Sequence, residues 1–313
     1  MRIVDLHTDA ICELSARGFL RYVRRAGRAG VRVILASVWT TEMRDPMQKI
    51  ARARKLIDKI NAQTTKFSRD QIPPLSVSHT ASVSSRVAPA TSTRATPTHP
   101  TPRVLLHIEN GWFITPENLD DVIALRPFSV GLTWNADNNL AGGARGSGDL
   151  TEFGRVVVSR LIDAGVRIDT AHLNEKSFWS VASAPKPPVF CSHACFSAVE
   201  QNVRNISGDQ IRAIIDGGGV VGLTFVGRFL CGSRGNRAGV RDIYAHIRYF
   251  LDNFGVDNIA IGTDFCGTTD LPKGVRNYKG FRKVEKFFLA RGVSHEIIAK
   301  IFYENAEKFI LGI

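Results

Sequence analysis

The segment DLHTDA, residues 5–10, places a histidine and an aspartate two positions apart where the first apolar run of the chain ends. Successive side chains of a strand alternate faces, so a strand here puts His7 and Asp9 on one side. An imidazole and a carboxylate on a common face make half of a divalent-metal site. The same pair also suits a plainer task, closing a strand and capping the helix behind it. Similar groups recur where later apolar runs stop: Glu109 in HIENG, His172 in DTAH, His193 in FCSH and Asp264 in GTDF. Three histidines and three carboxylates exceed the needs of one tetrahedral zinc and suit two. A carboxylate between two cations bridges them, and Glu109 is the natural candidate. Paired cations lower the pKa of a water held between them enough to supply hydroxide near neutral pH. Asp264 is then the group to accept and relay the proton.

Such residues need a scaffold that gathers strand ends. Eight short β-type runs alternate with helical patterns: 2–7, 31–39, 103–109, 128–134, 166–172, 188–193, 220–225 and 258–264. Helix-type segments between them include 46–63, 153–165, 207–219 and 242–255, several starting at Ser, Thr or Asp and ending at Gly. Eight near-continuously apolar strands separated by helices predict an α/β fold, a (β/α)8 TIM barrel spanning residues 1–313 as one domain. A doubly wound open sheet is the alternative, and the strand count favours the barrel. Barrel enzymes carry their chemistry at the C-terminal ends of the strands. The six candidates above all fall there.

One stretch breaks the pattern. From Pro73 to Pro102 the chain is dominated by Ser, Thr, Pro, Ala and Arg, without periodicity and with too little apolar content for a packed element. It reads as a disordered insertion, or as a segment translated out of frame, and His79 and His99 within it as bystanders. Net charge is +12, yet the basic residues are scattered. Their densest cluster, RYVRRAGR (21–28), reads as a solvated helix face, so no nucleic-acid partner is expected. Five cysteines at irregular spacings point to a reducing compartment, the cytoplasm. CSHAC (191–195) lacks the second cysteine pair of a structural zinc site, so its thiols are expected to be buried. Candidate ligands from residue 7 leave no room for a signal peptide, and no apolar run is long enough to span a bilayer.

The ordered series DLHTDA, IENG, GLTWN, GVRIDTAHLNEKSFW, PPVFCSHACF, VRNISGDQIRAI and IGTDFCG resembles the membrane (renal) dipeptidase family of zinc peptidases, among the amidohydrolase-type barrels. The resemblance covers nearly the whole chain outside Pro73–Pro102. It implies two zinc ions per chain, with His7 and Asp9 on one, His172 and His193 on the other, and Glu109 between them. It also implies Asp264 beside the bridging hydroxide and Arg204, in VRN, on the terminal carboxylate of a small dipeptide. It further implies a homodimer. Two positions depart from the family pattern: Trp134 stands where vertebrate members have a histidine that stabilises the oxyanion or holds substrate, and Cys266 stands where DFDG is usual. The function expected is hydrolysis of dipeptides. Hydrolysis of another amide or lactam, or a catalytically inactive ligand-binding barrel, are the alternatives.

Other candidates have plainer readings. His107 shares a strand face with Glu109 and is expected in a layer beneath the ligands rather than on a metal. Gly217–Gly219 follow a helix and precede a strand, the order of a C-cap turn and not of a phosphate loop. His246 and His295 are read as helical surface residues. Asp137, Asn138 and Asn139 are read as either substrate contacts or turn-formers.

Overall fold

Eight parallel strands follow one another round the sheet in sequence order. They are β1 (Ile3–Thr8), β2 (Val31–Trp39), β3 (Arg103–Glu109), β4 (Ser129–Gly131), β5 (Arg167–Asp169), β6 (Val189–Ala194), β7 (Val221–Leu223) and β8 (Ile259–Ile261). The structure is a computed structural model that describes residues 1–41, 44–64, 101–184 and 189–312. The Pro73–Pro102 stretch lies outside the described residues up to its last two positions, of which Pro102 is buried. Helices cover the outside of the strands, giving the (β/α)8 barrel expected from the alternation.

The helices start where their sequences provide caps. Ser15, Thr151, Asn174, Ser207 and Ser294 each accept a backbone N–H three residues on, and Ser207 with Gln210 forms a reciprocal capping box. In the helix Ala16–Arg28, Val23, Ala26 and Gly27 face the core while Arg21, Arg24, Arg25 and Arg28 face solvent. Gly218 has φ +76° and closes the helix Gly208–Asp216, the conformation of a C-cap turn.

The strand ends differ from simple alternation. β1 slips against β2 between Asp5 and Thr8, and β6 slips against β7 between Cys191 and Ala194, two residues opposing one in each case. Both slips are bulges, and they hold His7 and His193. A bulge re-aims the side chains it carries, so His7 reaches the barrel mouth by a local irregularity and not by an unbroken two-residue repeat. β4, β5, β7 and β8 are three residues long and end earlier than their apolar runs. His172 and Asp264 therefore lie three residues beyond their strands, with φ of +69° and +61°. A left-handed residue breaks the ladder and turns the chain over the mouth, at a cost of about 1–2 kcal/mol for a residue with a Cβ.

Two buried aspartates tie neighbouring strands together. Asp5 accepts the N–H of Thr263 (2.8 Å) and of His7 (3.2 Å), and the hydroxyls of Thr263 and Tyr278 (both 2.7 Å). With the Asp264 N–H donating to the His7 carbonyl (3.0 Å), this closes the seam between β8 and β1. Asp169 does the same between β5 and β6, accepting the Ser192 N–H (2.9 Å) and the Ser192 hydroxyl. At the opposite end, Val4, Leu6, Val33, Leu35, Phe128, Phe190 and Val220 pack with Ala306 and Ile310 of the helix Asn305–Leu311.

Candidate metal centre

Five residues from four separated segments converge at the C-terminal mouth. The Nε2 of His7 lies 3.5 Å from Asp9 Oδ2 and 3.5 Å from Glu109 Oε2. The other Glu109 oxygen, Oε1, lies 3.1 Å from His172 Nε2 and 3.9 Å from His193 Nε2. Thus the two oxygens of one carboxylate face two different groups of donors. Asp9 occupies the N-cap position of a short helix, Ala10–Glu13, but its side chain makes no capping bond and turns to His7 instead. Ser37 donates its hydroxyl to Glu109 Oε2 at 2.8 Å and fixes the carboxylate's orientation.

The tautomers can be assigned from the outer partners. Ser192 gives its hydroxyl proton to Asp169, so it accepts at 2.7 Å from His193 Nδ1–H. His172 Nδ1 lies 3.3 Å from Asn135 Oδ1, an acceptor, and so also carries its proton on Nδ1. Burial holds the His172 ring down at about 4, with Arg204 adding to it, and burial likewise pushes His193 well below the ordinary imidazole value, which favours neutral imidazoles. Their bare Nε2 lone pairs then face each other at 3.0 Å with no proton between them. That contact is repulsive unless a cation sits among the two nitrogens and Glu109. Ligands around a tetrahedral zinc, each about 2.0–2.1 Å from it, stand about 3.4 Å apart. The separations of 3.0–3.9 Å here bracket that value. About His7, Asp9 and Glu109 each stand 3.5 Å from its Nε2, and His7, Asp9 and Asp264 lie within ligand reach of one another. Burial pushes Asp264 up to about 8, with Asp9 and Glu109 adding to it. Carboxylates this crowded call for positive charge. The residues therefore fit a pair of divalent cations.

Beside these groups is a cavity of about 430 Å³ lined by Trp39, Trp134, Asn135, Arg145, Arg204, Arg228 and Phe229 as well as the candidate ligands. Arg204 is 5% exposed, sits over the Phe229 ring and donates Nη2–H to the His193 carbonyl at 3.3 Å. Its Nε–H is buried without a partner among the described residues. Trp134 stands between Trp39 and His172, with ring centroids 5.4 and 5.9 Å away, and walls the cavity.

The model of the membrane dipeptidase family, peptidase family M19, matches residues 3–310. The chain belongs to this family. A protein of Klebsiella pneumoniae described as uncharacterized, in the pqqA 5′ region, is 32% identical over 187 residues, 56% of this chain and 69% of that one. Among solved structures, a metallopeptidase from Rhodobacter sphaeroides, liganded with a phosphinate mimic of the dipeptide L-Ala-D-Ala, superposes with a TM-score of 0.74. It is 18% identical and is aligned over 99% of this chain and 98% of its own. An amidohydrolase from Pseudomonas aeruginosa gives a TM-score of 0.76 at 20% identity, over 100% of this chain and 97% of that one. At these identities the structural likenesses establish the fold, and the family match establishes a metal-dependent hydrolase.

Within the M19 barrel the remaining candidates take their places. His107 is buried between the Ser129 hydroxyl (Nδ1, 2.9 Å) and Asp169 Oδ2 (Nε2, 3.3 Å), beneath the ligands and outside every candidate ligand group among the described residues. Cys191 and Cys195 are buried, and all five thiols are free. Asp137 accepts three backbone N–H bonds from Gly143, Ser147 and Gly148, while Asn138 and Asn139 bond loop carbonyls, so they shape the loop after β4. His246 is a correction: it is fully buried, not on the surface, accepting the Phe196 N–H (3.2 Å) and donating to the Leu230 carbonyl (3.1 Å). Its satisfied pairing explains why a polar residue sits on the inner face of the helix Val240–Phe254. His295 is exposed. Cys266 is exposed and left-handed, with φ +72°. Asp5, Asp169, Ser192 and Asn135 position the candidate ligands and were not evident as such in the sequence. The one available signal was Asp5, spaced two residues from His7.

Proposed function

We propose that this chain is a zinc-dependent dipeptidase that cleaves the peptide bond of small dipeptides. Two zinc ions would be held per chain, one by His7 and Asp9, the other by His172 and His193, with Glu109 across both. The observation that carries this reading is the pair of unprotonated Nε2 atoms 3.0 Å apart, with the Glu109 oxygens divided between His172 and His7. Bound there, the ions would supply Lewis acidity for the scissile carbonyl and would lower the pKa of a water enough to make hydroxide available near neutral pH. Asp264 accepts the proton released on attack at its carboxylate and hands it to the leaving amine nitrogen. Arg204 holds the substrate's terminal carboxylate through its buried guanidinium. That restricts substrates to short peptides with a free end. Trp134 confines the peptide beside His172 and offers one N–H donor in place of an imidazole. The dipeptide mimic bound by the Rhodobacter sphaeroides relative supports this substrate class. The five free thiols support a cytoplasmic setting; among the described residues no helix is long and apolar enough to cross a membrane.

The test is elemental analysis together with a dipeptide panel. The expected result is two zinc ions per chain and hydrolysis of dipeptides, with one ion and nearly all activity lost in His172→Ala and in His193→Ala. Unchanged metal stoichiometry in both variants would sink the assignment.

A further inference from the structure

The cavity holds more positive charge than one terminal carboxylate needs. Outside the candidate ligands and Asp264, its charged wall residues are Glu13, Arg145, Arg204 and Arg228. Arg228 is committed to Asp270, which accepts from both its Nε (3.3 Å) and its backbone N–H (2.9 Å). Arg204 is taken by the role above. Arg145 pairs with no carboxylate among the described residues, although three acidic residues lie close to it in the chain. All three are otherwise engaged: Asp137 by three loop N–H groups, Asp149 by the Leu150 N–H at 2.6 Å, and Glu152 by Arg155 at 3.8 Å.

The loop that presents Arg145 is fixed. Its own N–H donates to the Asn135 carbonyl at 2.7 Å, and Gly143 pairs with Leu173 in an isolated bridge. Gly146, next in sequence, packs against Asp137 so closely that a Cβ there would fall 1.6 Å from Oδ1. Asn135, to which Arg145 is bonded, also orients His172. The backbone of Arg145 is thus anchored at the edge of the reaction centre, and its exposed side chain lines the cavity.

Resting on the dipeptidase reading, we propose that Arg145 forms a second anion subsite, so that the preferred dipeptides carry an acidic side chain in addition to their terminal carboxylate. Arg204 and Arg145 stand on different loops, one after β6 and one after β4, and a dicarboxylate substrate engages both across the centre. A planar fork of N–H donors suits a second carboxylate, with Trp134 and Phe229 covering the apolar parts of the ligand.

The experiment compares kcat/KM of the zinc-loaded protein for Ala-Asp and Ala-Glu with Ala-Asn and Ala-Gln, and for the same residues in the first position. In one of the two positions the acidic member is expected to be favoured by roughly 5- to 30-fold, the scale of one partly exposed charge-assisted contact. Added salt should shrink that ratio, because an open cavity is screened. Arg145→Met should bring the ratio close to one, Arg145→Lys should keep part of it, and Arg145→Glu should shift preference towards basic side chains. Zinc content and melting temperature of each variant report whether the fold is intact. Equal turnover of acidic and neutral dipeptides by the parent, or an acidic preference that survives in Arg145→Met, would overturn the subsite while leaving the dipeptidase reading standing. Failure of the zinc-loaded parent on every dipeptide would overturn that reading and the subsite with it.

Discussion

At the scale of single residues, the candidate ligands are marked in the sequence by where they interrupt apolar runs. His7, Asp9, Glu109, His172, His193 and Asp264 are all found at one mouth, and Arg204 lines the cavity beside them. Their supports were not legible, because Ser192 matters only through a bulge and Asn135 only through a loop that returns to His172. Asp264→Asn keeps the shape of the carboxylate and removes its capacity to take a proton. Zinc should be retained and turnover should fall by roughly 10²-fold or more, the scale of general acid–base loss. Turnover near the parent's would make Asp264 structural. Arg204→Met should raise KM for dipeptides with a free terminus, and narrow the gap between them and their amidated counterparts. Equal losses on both would mean that Arg204 supports the fold and not a carboxylate pocket. Asp169→Asn weakens the acceptor that holds Ser192 and, through it, His193. Its expected signature is a loss of zinc affinity of roughly 10-fold or more, read by competition with a chelator.

At the scale of elements, helix boundaries and the order of strands followed from caps and apolar runs, whereas strand lengths did not. The runs at 166–172 and 258–264 look like strands throughout, yet only their first halves pair. Hydropathy reports burial, and a buried left-handed residue such as His172 is as shielded as a paired one, so the turn has no compositional mark. The same limit hid His246, whose ring is inside because both nitrogens find partners. Burial lowers its pKa to about 4, outweighing the Leu230 bond and the Asp242 charge that favour protonation. The unfolded chain takes up this proton near pH 6.5, and the folded one only near 4. Stability from this group is therefore complete above about pH 6.5 and is lost as pH falls towards 4, by no more than about 3 kcal/mol. His246→Gln should be less stable than the parent at pH 7.5 in urea titrations, and the gap should narrow at pH 5. A gap independent of pH would show that His246 does not titrate on unfolding.

At the scale of the whole molecule, a closed barrel separates chemistry from assembly. The site occupies the C-terminal mouth, and the opposite end is sealed by the helix Asn305–Leu311 and by Arg167, whose guanidinium lies over Phe128 and Phe309. The chain leaves the helix Pro46–Thr64 and re-enters at β3 on that opposite end, where the Asn61 amide pairs with both the N–H and the carbonyl of Val104 at 2.9 and 2.7 Å. Glu109, at the far end of β3, is thus positioned by a strand registered along its whole length on β2. Residues 73–100 are poor in apolar side chains, and the cost of closing a loop grows only logarithmically with its length. Replacing residues 76–101 with a short Gly/Ser linker should change stability by about 1 kcal/mol or less, a shift of about 2–4 °C in Tm for a domain of this size. Zinc content and dipeptide turnover should stay close to the parent's, since both attachment points face away from the mouth. Differential scanning calorimetry beside metal analysis checks this. A broadened, non-cooperative transition in the linker variant would show that the replaced residues pack as part of the barrel.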